Sequence, residues 1–88
     1  MICQKCYVSG IVQGVFFRDT VQKQAKSLSI NGHVCNMPNG TVEVFMCGSK
    51  QQLKTMEDWL WEGSSHSDVT GVKCHSINAA IPQQFVIK

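Results

Sequence analysis

The segment from Gly10 to Arg18, GIVQGVFFR, runs two glycines through apolar sequence, sets two phenylalanines side by side and stops on a cation. A glycine-containing turn between a strand and a helix can turn successive backbone N–H groups inward. A helix beginning near Arg18 adds unsatisfied N–H groups and the positive end of its dipole. The chemistry open to such a turn is anion binding, with the Arg18 guanidinium supplying planar, paired donors that suit a phosphoryl group. Glycines in a turn also serve tightness alone, and an arginine at a helix start is often a solvated charge. On these residues both readings stand.

The elements that must position this turn follow from periodicity. Residues 2 to 12 alternate, with Cys6, Val8, Gly10 and Val12 on one face and Cys3, Lys5, Tyr7 and Ser9 on the other, the pattern of a half-buried strand. From Asp19 to about Ile30 the spacing of Phe17, Val21, Ala25 and Leu28 predicts an amphipathic helix, with Asn31-Gly32 as its stop. HVCNM and TVEVFMCG read as strands joined by the turn Pro38-Asn39-Gly40. A second helix from about Ser49 to Glu62 carries Leu53, Met56 and Leu60 as its stripe, with Trp59 on the flank and Trp61 on another side. A strand over DVTGVKCHSI and a short extended FVIK complete the chain.

This order predicts an α+β fold, a ferredoxin-like βαββαβ sandwich. It has a four-stranded antiparallel sheet, plus a short C-terminal strand, and two helices on one face. Right-handed crossovers place the first and third strands in the centre and make the first and second run the same way. The turn after Val12 and the end of HVCN then emerge at one edge, so Arg18 and Asn36 become neighbours.

Eighty-eight residues suffice for one core, so residues 1–88 are read as a single domain whose active site must be shallow. A net charge of +2 with scattered Lys and Arg argues against a nucleic-acid footprint or a polybasic membrane patch. No apolar run approaches the roughly 20 residues of a membrane span. MICQKCYVSG, interrupted by Gln4-Lys5, is no signal peptide, so the expected compartment is the cytoplasm. Five cysteines, an odd number, are read there mainly as reduced thiols packing as small hydrophobes. Alternation nonetheless puts Cys3 and Cys47 on the same face of antiparallel neighbours. Their sulfurs can meet, although a cytosolic setting opposes the bond.

GIVQGVFFR followed by GHVCNMPNGTVEV resembles the signature of the acylphosphatase family. Its pattern is a Gly-x-Val-Gln-Gly-Val-x-Phe-Arg loop, then a Gly-x-Val-x-Asn strand end and a glycine-containing hairpin turn. AKSLSINGHVCN, MEDWL and FVIK extend the resemblance over nearly the whole chain. It implies a small, metal-free and cofactor-free hydrolase that cleaves acyl phosphates into a carboxylate and inorganic phosphate. It also implies that Arg18 holds the phosphoryl oxygens, with Gln13, Gly14, Val15, Phe16 and Phe17 as the amide-donating cradle, and that Asn36 positions the attacking water. The expected partners are a small-molecule acyl phosphate and its phosphate product, with no nucleic acid, no membrane and a monomeric state.

Three positions depart from that pattern. Ile11 stands where arginine is frequent, Cys35 where a basic residue commonly precedes the asparagine, and Phe16 where a small residue is frequent. Fewer cations weaken the long-range attraction of anionic substrates, and Phe16 reshapes the mouth of the site. His33, His66 and His75 share no ligand spacing and are read as surface or structural residues. Asp19 is read as a carboxylate favourable at a helix start. Cys3 and Cys6 resemble a Cys-x-x-Cys metal site only in spacing, because within a strand they face opposite sides. A non-catalytic anion-binding module is the runner-up reading. An RNA-binding sheet, with Tyr7 and Phe45 on its open face, lacks the accompanying basic residues.

Overall fold

A computed structural model describes residues 1–88. The alternating N-terminal segment forms β1 (Ile2–Ile11), followed by α1 (Phe17–Ser27), β2 (Asn31–Asn36) and β3 (Val42–Gly48). Then come α2 (Lys50–Leu60), β4 (Asp68–Ile77) and β5 (Phe85–Ile87). The strands make one sheet in the order β4-β1-β3-β2-β5, so β1 and β3 lie inside as the crossover rule requires. The C-terminal extended piece joins as the edge strand, parallel to β2, through the pairs Gly32–Phe85, His33–Val86 and Val34–Ile87.

Alternation sorts each strand into two faces. Cys6 and Val8 of β1, Val34 of β2, and Val42, Val44 and Met46 of β3 are buried against Phe17, Val21 and Ala25 of α1 and Leu53, Met56 and Leu60 of α2. Burying each of these larger aliphatic or aromatic side chains contributes about 1.5–3 kcal/mol, and together they fix both helices on one face. Trp59 packs at the margin of this core and Trp61 is exposed.

Helix α1 departs from its expected bounds at both ends. It starts at Phe17 because Phe16, at φ 59°, takes the left-handed conformation that precedes the first turn. It ends at Ser27 because Ser29 (φ 58°) reverses the chain and lets the Ile30 N–H donate to the Ala25 carbonyl at 2.9 Å. Asn31 and Gly32 are therefore part of β2 rather than the stop signal. Helix α2 begins with a complete capping box: the Gln52 N–H donates to Ser49 Oγ at 3.1 Å and the Ser49 N–H to Gln52 Oε1 at 2.7 Å.

The reading of the cysteines as mainly reduced thiols is corrected. Cys3 and Cys47 are joined across the β1–β3 pair on the open face, and Cys6 and Cys74 across the β1–β4 pair. Only Cys35 is free. The physical reason is register, since each pair stands directly opposite in its ladder. The second pair depends on β4, whose register with β1 shifts between Ser9 and Gly10. Gly10, at φ 121°, sits where a Cβ would run into the Asp68 carbonyl, so the bulge needs glycine there.

On the open face, Glu43 gathers polar groups from both neighbouring strands. Its Oε1 accepts from Tyr7 Oη at 3.1 Å and lies 3.6 Å from Lys5 Nζ, while its Oε2 meets His33 Nε2 at 2.9 Å and Cys35 Sγ at 3.5 Å. Burial pushes the Glu43 carboxyl up. The hydrogen bonds of His33 and Tyr7, the charge of Lys5 and the Cys35 thiol outweigh that and hold it below its ordinary value of 4.5. Tyr7 is pushed up by partial burial and by its bond to the same carboxylate.

The two bridges and the Glu43 cluster each have measurable consequences. Denatured without reductant, the protein will show one reactive thiol per chain, and five after reduction. Reduction will cost about 2–4 kcal/mol for each bridge in urea unfolding. Because the folded-state pKa of Glu43 is depressed, its contribution is fully present above pH 4.5 and is lost as pH falls through the lower folded value. Glu43→Gln will therefore flatten the fall of Tm with acidification below pH 4.5, measured against the wild-type curve.

Candidate active site

The two helices handle their N-termini in opposite ways. The first donors of α2 are satisfied by its capping box, whereas α1 has no side-chain cap. No backbone amide from Gly14 to Asp19 donates to a protein acceptor, and the first N–H of this stretch to find one is that of Thr20, on the Phe16 carbonyl at 3.1 Å. Unpaired donors are normally paired or hydrated, so a continuous run of them at the positive end of a helix is a place for an anion.

The carbonyls of the same turn are tied away. Val15 O accepts from Ser64 Oγ at 3.1 Å, and Phe16 O takes both the Thr20 N–H and Thr20 Oγ1, the latter at 2.9 Å. Left-handed conformations at Gly14 (φ 74°) and Phe16 give alternate residues the backbone twist of an anion nest. No atom lies within 4 Å of where a Gly14 Cβ would sit, so glycine is needed there for its dihedral angle and leaves the approach open. Phe16 carries the same conformation with a bulky, 75% exposed side chain, a strain of about 1–3 kcal/mol held at the mouth of the site.

A shallow cavity of about 320 Å³ lies against this turn, lined by Val12, Gly14, Phe16, Phe17, Arg18, Asp19 and Ile87. Arg18 is the only arginine of the chain. Its Nη1 donates to the Lys88 carbonyl at 3.2 Å, and the Lys88 N–H donates to the Val34 carbonyl at 2.9 Å. One residue beyond β5 thus links the guanidinium to β2, two positions before Asn36. From the other side, Gln13 Nε2 donates to the carbonyls of Met37 and Thr41, each at 2.9 Å.

Asn36 therefore sits between two tethers, at the edge where the turn emerges. It pairs with Val42 at the end of β2, on the helix-side face with Val34, and it is exposed. It does not line the cavity itself. Of the cradle residues named from sequence, Gln13 to Phe17 all present unpaired backbone amides, and the Gln13 side chain in addition fastens the turn to the β2–β3 hairpin. Cys35 turns to the open face and bonds Glu43, so that departure changes the far side of the sheet. Ile11 is exposed beside the turn. Asp19 stands in the first turn of α1, the favourable place for a carboxylate.

Sequence reasoning missed Thr20, Ser64 and Lys88. Thr20, one turn after Phe16, carries a local signal, a hydroxyl placed to bond the carbonyl four residues back. Ser64 and Lys88 reach the turn from 49 and 70 residues away and carry none.

A sequence model of the family described as Acylphosphatase matches residues 4–87. The chain is 39% identical over 83 residues to a protein named acylphosphatase from Chromohalobacter salexigens, covering 94% of this chain and 92% of that one. The structure of an acylphosphatase from Coxiella burnetii superposes with a TM-score of 0.95 at 37% identity, covering 99% of this chain and 92% of that one. The crystal structure of acylphosphatase from Bacillus subtilis does so with a TM-score of 0.94 at 30% identity, covering 100% and 99%.

Gln13→Ala will remove two hydrogen bonds to backbone carbonyls and cost about 1–3 kcal/mol in urea unfolding. Phe16→Gly, by contrast, will relieve the left-handed strain and raise stability by up to about 1 kcal/mol in the same assay.

Proposed function

The chain belongs to the acylphosphatase family, enzymes that hydrolyse acyl phosphates, and we propose that the turn from Gly14 to Arg18 is its phosphoryl site and Asn36 its water-positioning residue. The observation that carries this reading is the unbroken run of unpaired amides from Gly14 to Asp19, closed by the guanidinium of Arg18.

An acyl phosphate already carries a good leaving group, so positioning and charge stabilisation can supply most of the acceleration. In the proposed step the phosphoryl oxygens lie in the amide cradle and against the free N–H groups of Arg18. A water held by the Asn36 amide attacks phosphorus. The bond from phosphorus to the carboxyl oxygen breaks, and the carboxylate leaves with the electron pair. Asn36 does not titrate, so it orients the water through its carbonyl and N–H₂ and cannot take the proton. An oxygen of the substrate takes it. Such a step calls for no metal and no cofactor.

Several further assignments go with this reading. The chain acts as one domain over residues 1–88 and as a monomer, on a small acyl phosphate, releasing inorganic phosphate, without a nucleic-acid partner. Phe45 is nearly buried and Lys5 is engaged by Glu43, which leaves little of the open face for stacking bases. No helix is long and apolar enough to cross a membrane. The cytoplasmic location expected from sequence stands against the two cystines, which persist in oxidising compartments. The thiol count of protein isolated with alkylation at lysis distinguishes the two.

The test is hydrolysis of benzoyl phosphate by purified protein in the presence of a chelator. Arg18→Ala and Asn36→Ala will each lower kcat by about 10²–10³-fold with an unchanged circular dichroism spectrum. Turnover that persists in either variant would remove that residue from the mechanism.

A further inference from the structure

The open face carries a second constellation that the hydrolytic reading does not use. We propose that His33, Cys35 and Glu43 form a binding site for a zinc-like divalent cation.

The placement comes from the sheet itself. His33 and Cys35 are two apart on β2 and so share a face, and Glu43 of β3 is the direct cross-strand partner of Cys35. One donor atom from each, the ring nitrogen, the sulfur and a carboxylate oxygen, lies within 4.8 Å of the other two. A tetrahedral zinc site with Zn–N, Zn–O and Zn–S near 2.0–2.3 Å separates its ligand atoms by about 3.3–3.6 Å. The 3.5 Å between Cys35 Sγ and Glu43 Oε2 already has that length, and the 2.9 Å between His33 Nε2 and Oε2 needs to open by about half an ångström. All three side chains stand on strands rather than on loops.

Glu43 is prepared to offer one oxygen. Tyr7 donates to Oε1, and Lys5 lies on the same side, so the second oxygen is fixed from β1 while Oε2 faces His33 and Cys35. These are the outer contacts that orient a ligating carboxylate. His33 and Cys35 are only partly buried, which leaves a path for the ion and room for water as a fourth ligand. Sulfur, imidazole and carboxylate together favour zinc and its neighbours over calcium or magnesium, which take oxygen.

The proton balance is simple. The metal takes the position between the three donor atoms where hydrogens now bridge them. Cys35 gives its thiol proton to solvent and ligates as thiolate, His33 ligates through Nε2 as the neutral tautomer that carries its proton on Nδ1, and Glu43 ligates as carboxylate. The ion's two charges are matched by the thiolate and the carboxylate, which compensates the desolvation of both. In the metal-free protein, burial and the Glu43 carboxylate keep that thiol protonated by pushing its pKa up. Asn36 and the cradle lie on the other side of β2, so the site stands independently of the hydrolytic reading.

Cobalt(II) titrated into the protein with both disulfides intact reports directly on Cys35, the only free thiol. The expected result is one equivalent bound, with a thiolate-to-cobalt charge-transfer band that zinc displaces. Cys35→Ser will abolish the band, and His33→Ala, which removes a ligand outright, will weaken binding by more than the roughly 10–100-fold that losing an outer-shell contact costs. A circular dichroism spectrum of each variant checks that the sheet is intact. Absence of stoichiometric binding, or equal affinity in wild type, Cys35→Ser and His33→Ala, overturns the proposal.

Discussion

The structure turns on an unsettled account of backbone hydrogen bonds. A folded chain pairs nearly all its amides, and this one does so through five strands and a capped α2, yet it leaves the amides at the entry to α1 without acceptors. Keeping them open has required work elsewhere. Two carbonyls of the turn are held by Ser64 and Thr20, the turn is fastened to the hairpin by Gln13, and Arg18 is anchored to Lys88. Phe16 bears a left-handed backbone that a phenylalanine does not favour. Local instability is thus concentrated where an anion can relieve it, and the apolar core supplies the stability against which it is set.

Strand β2 shows how a pleated strand serves two sites. Val34 and Asn36 point towards the helices, the valine into the core and the asparagine to the exposed end beside the turn, while His33 and Cys35 point to the open face. A change at Cys35 reaches Asn36 only through the backbone between them. That separation lets Cys35 serve the open face while Asn36 stands at the edge beside the cradle.

Much of this was legible in the sequence, because its strands alternate cleanly. Faces could be assigned for Cys3, Cys6, Val42 and Glu43 from parity alone, and topology put the turn and the end of β2 at one edge. What parity does not supply is register between strands distant in sequence. Cys6 and Cys74 face each other in the ladder that runs from Cys3–Ile77 to Ser9–Gly71, and a register between strands so distant in sequence has no local signature. His33, Cys35 and Glu43 meet for the same reason: two are on one strand, and the third becomes their neighbour only once the hairpin pairs. The end of α1 was misplaced because Ser29, an ordinary residue, adopts the left-handed conformation that Asn31-Gly32 advertises more strongly.

The two cystines also change the connectivity of the molecule as a covalent graph. One closes a ring from Cys3 to Cys47, the other from Cys6 to Cys74, and the rings overlap between Cys6 and Cys47. A peptide bond cut in that overlap is bypassed twice, whereas a cut between Cys47 and Cys74, for instance beside the exposed Ser65 and His66, is bypassed only once. Arg18 and Asn36 both fall inside the doubly enclosed stretch. A nicked chain therefore remains a single molecule, with its reactive half held by the more redundant part of the graph.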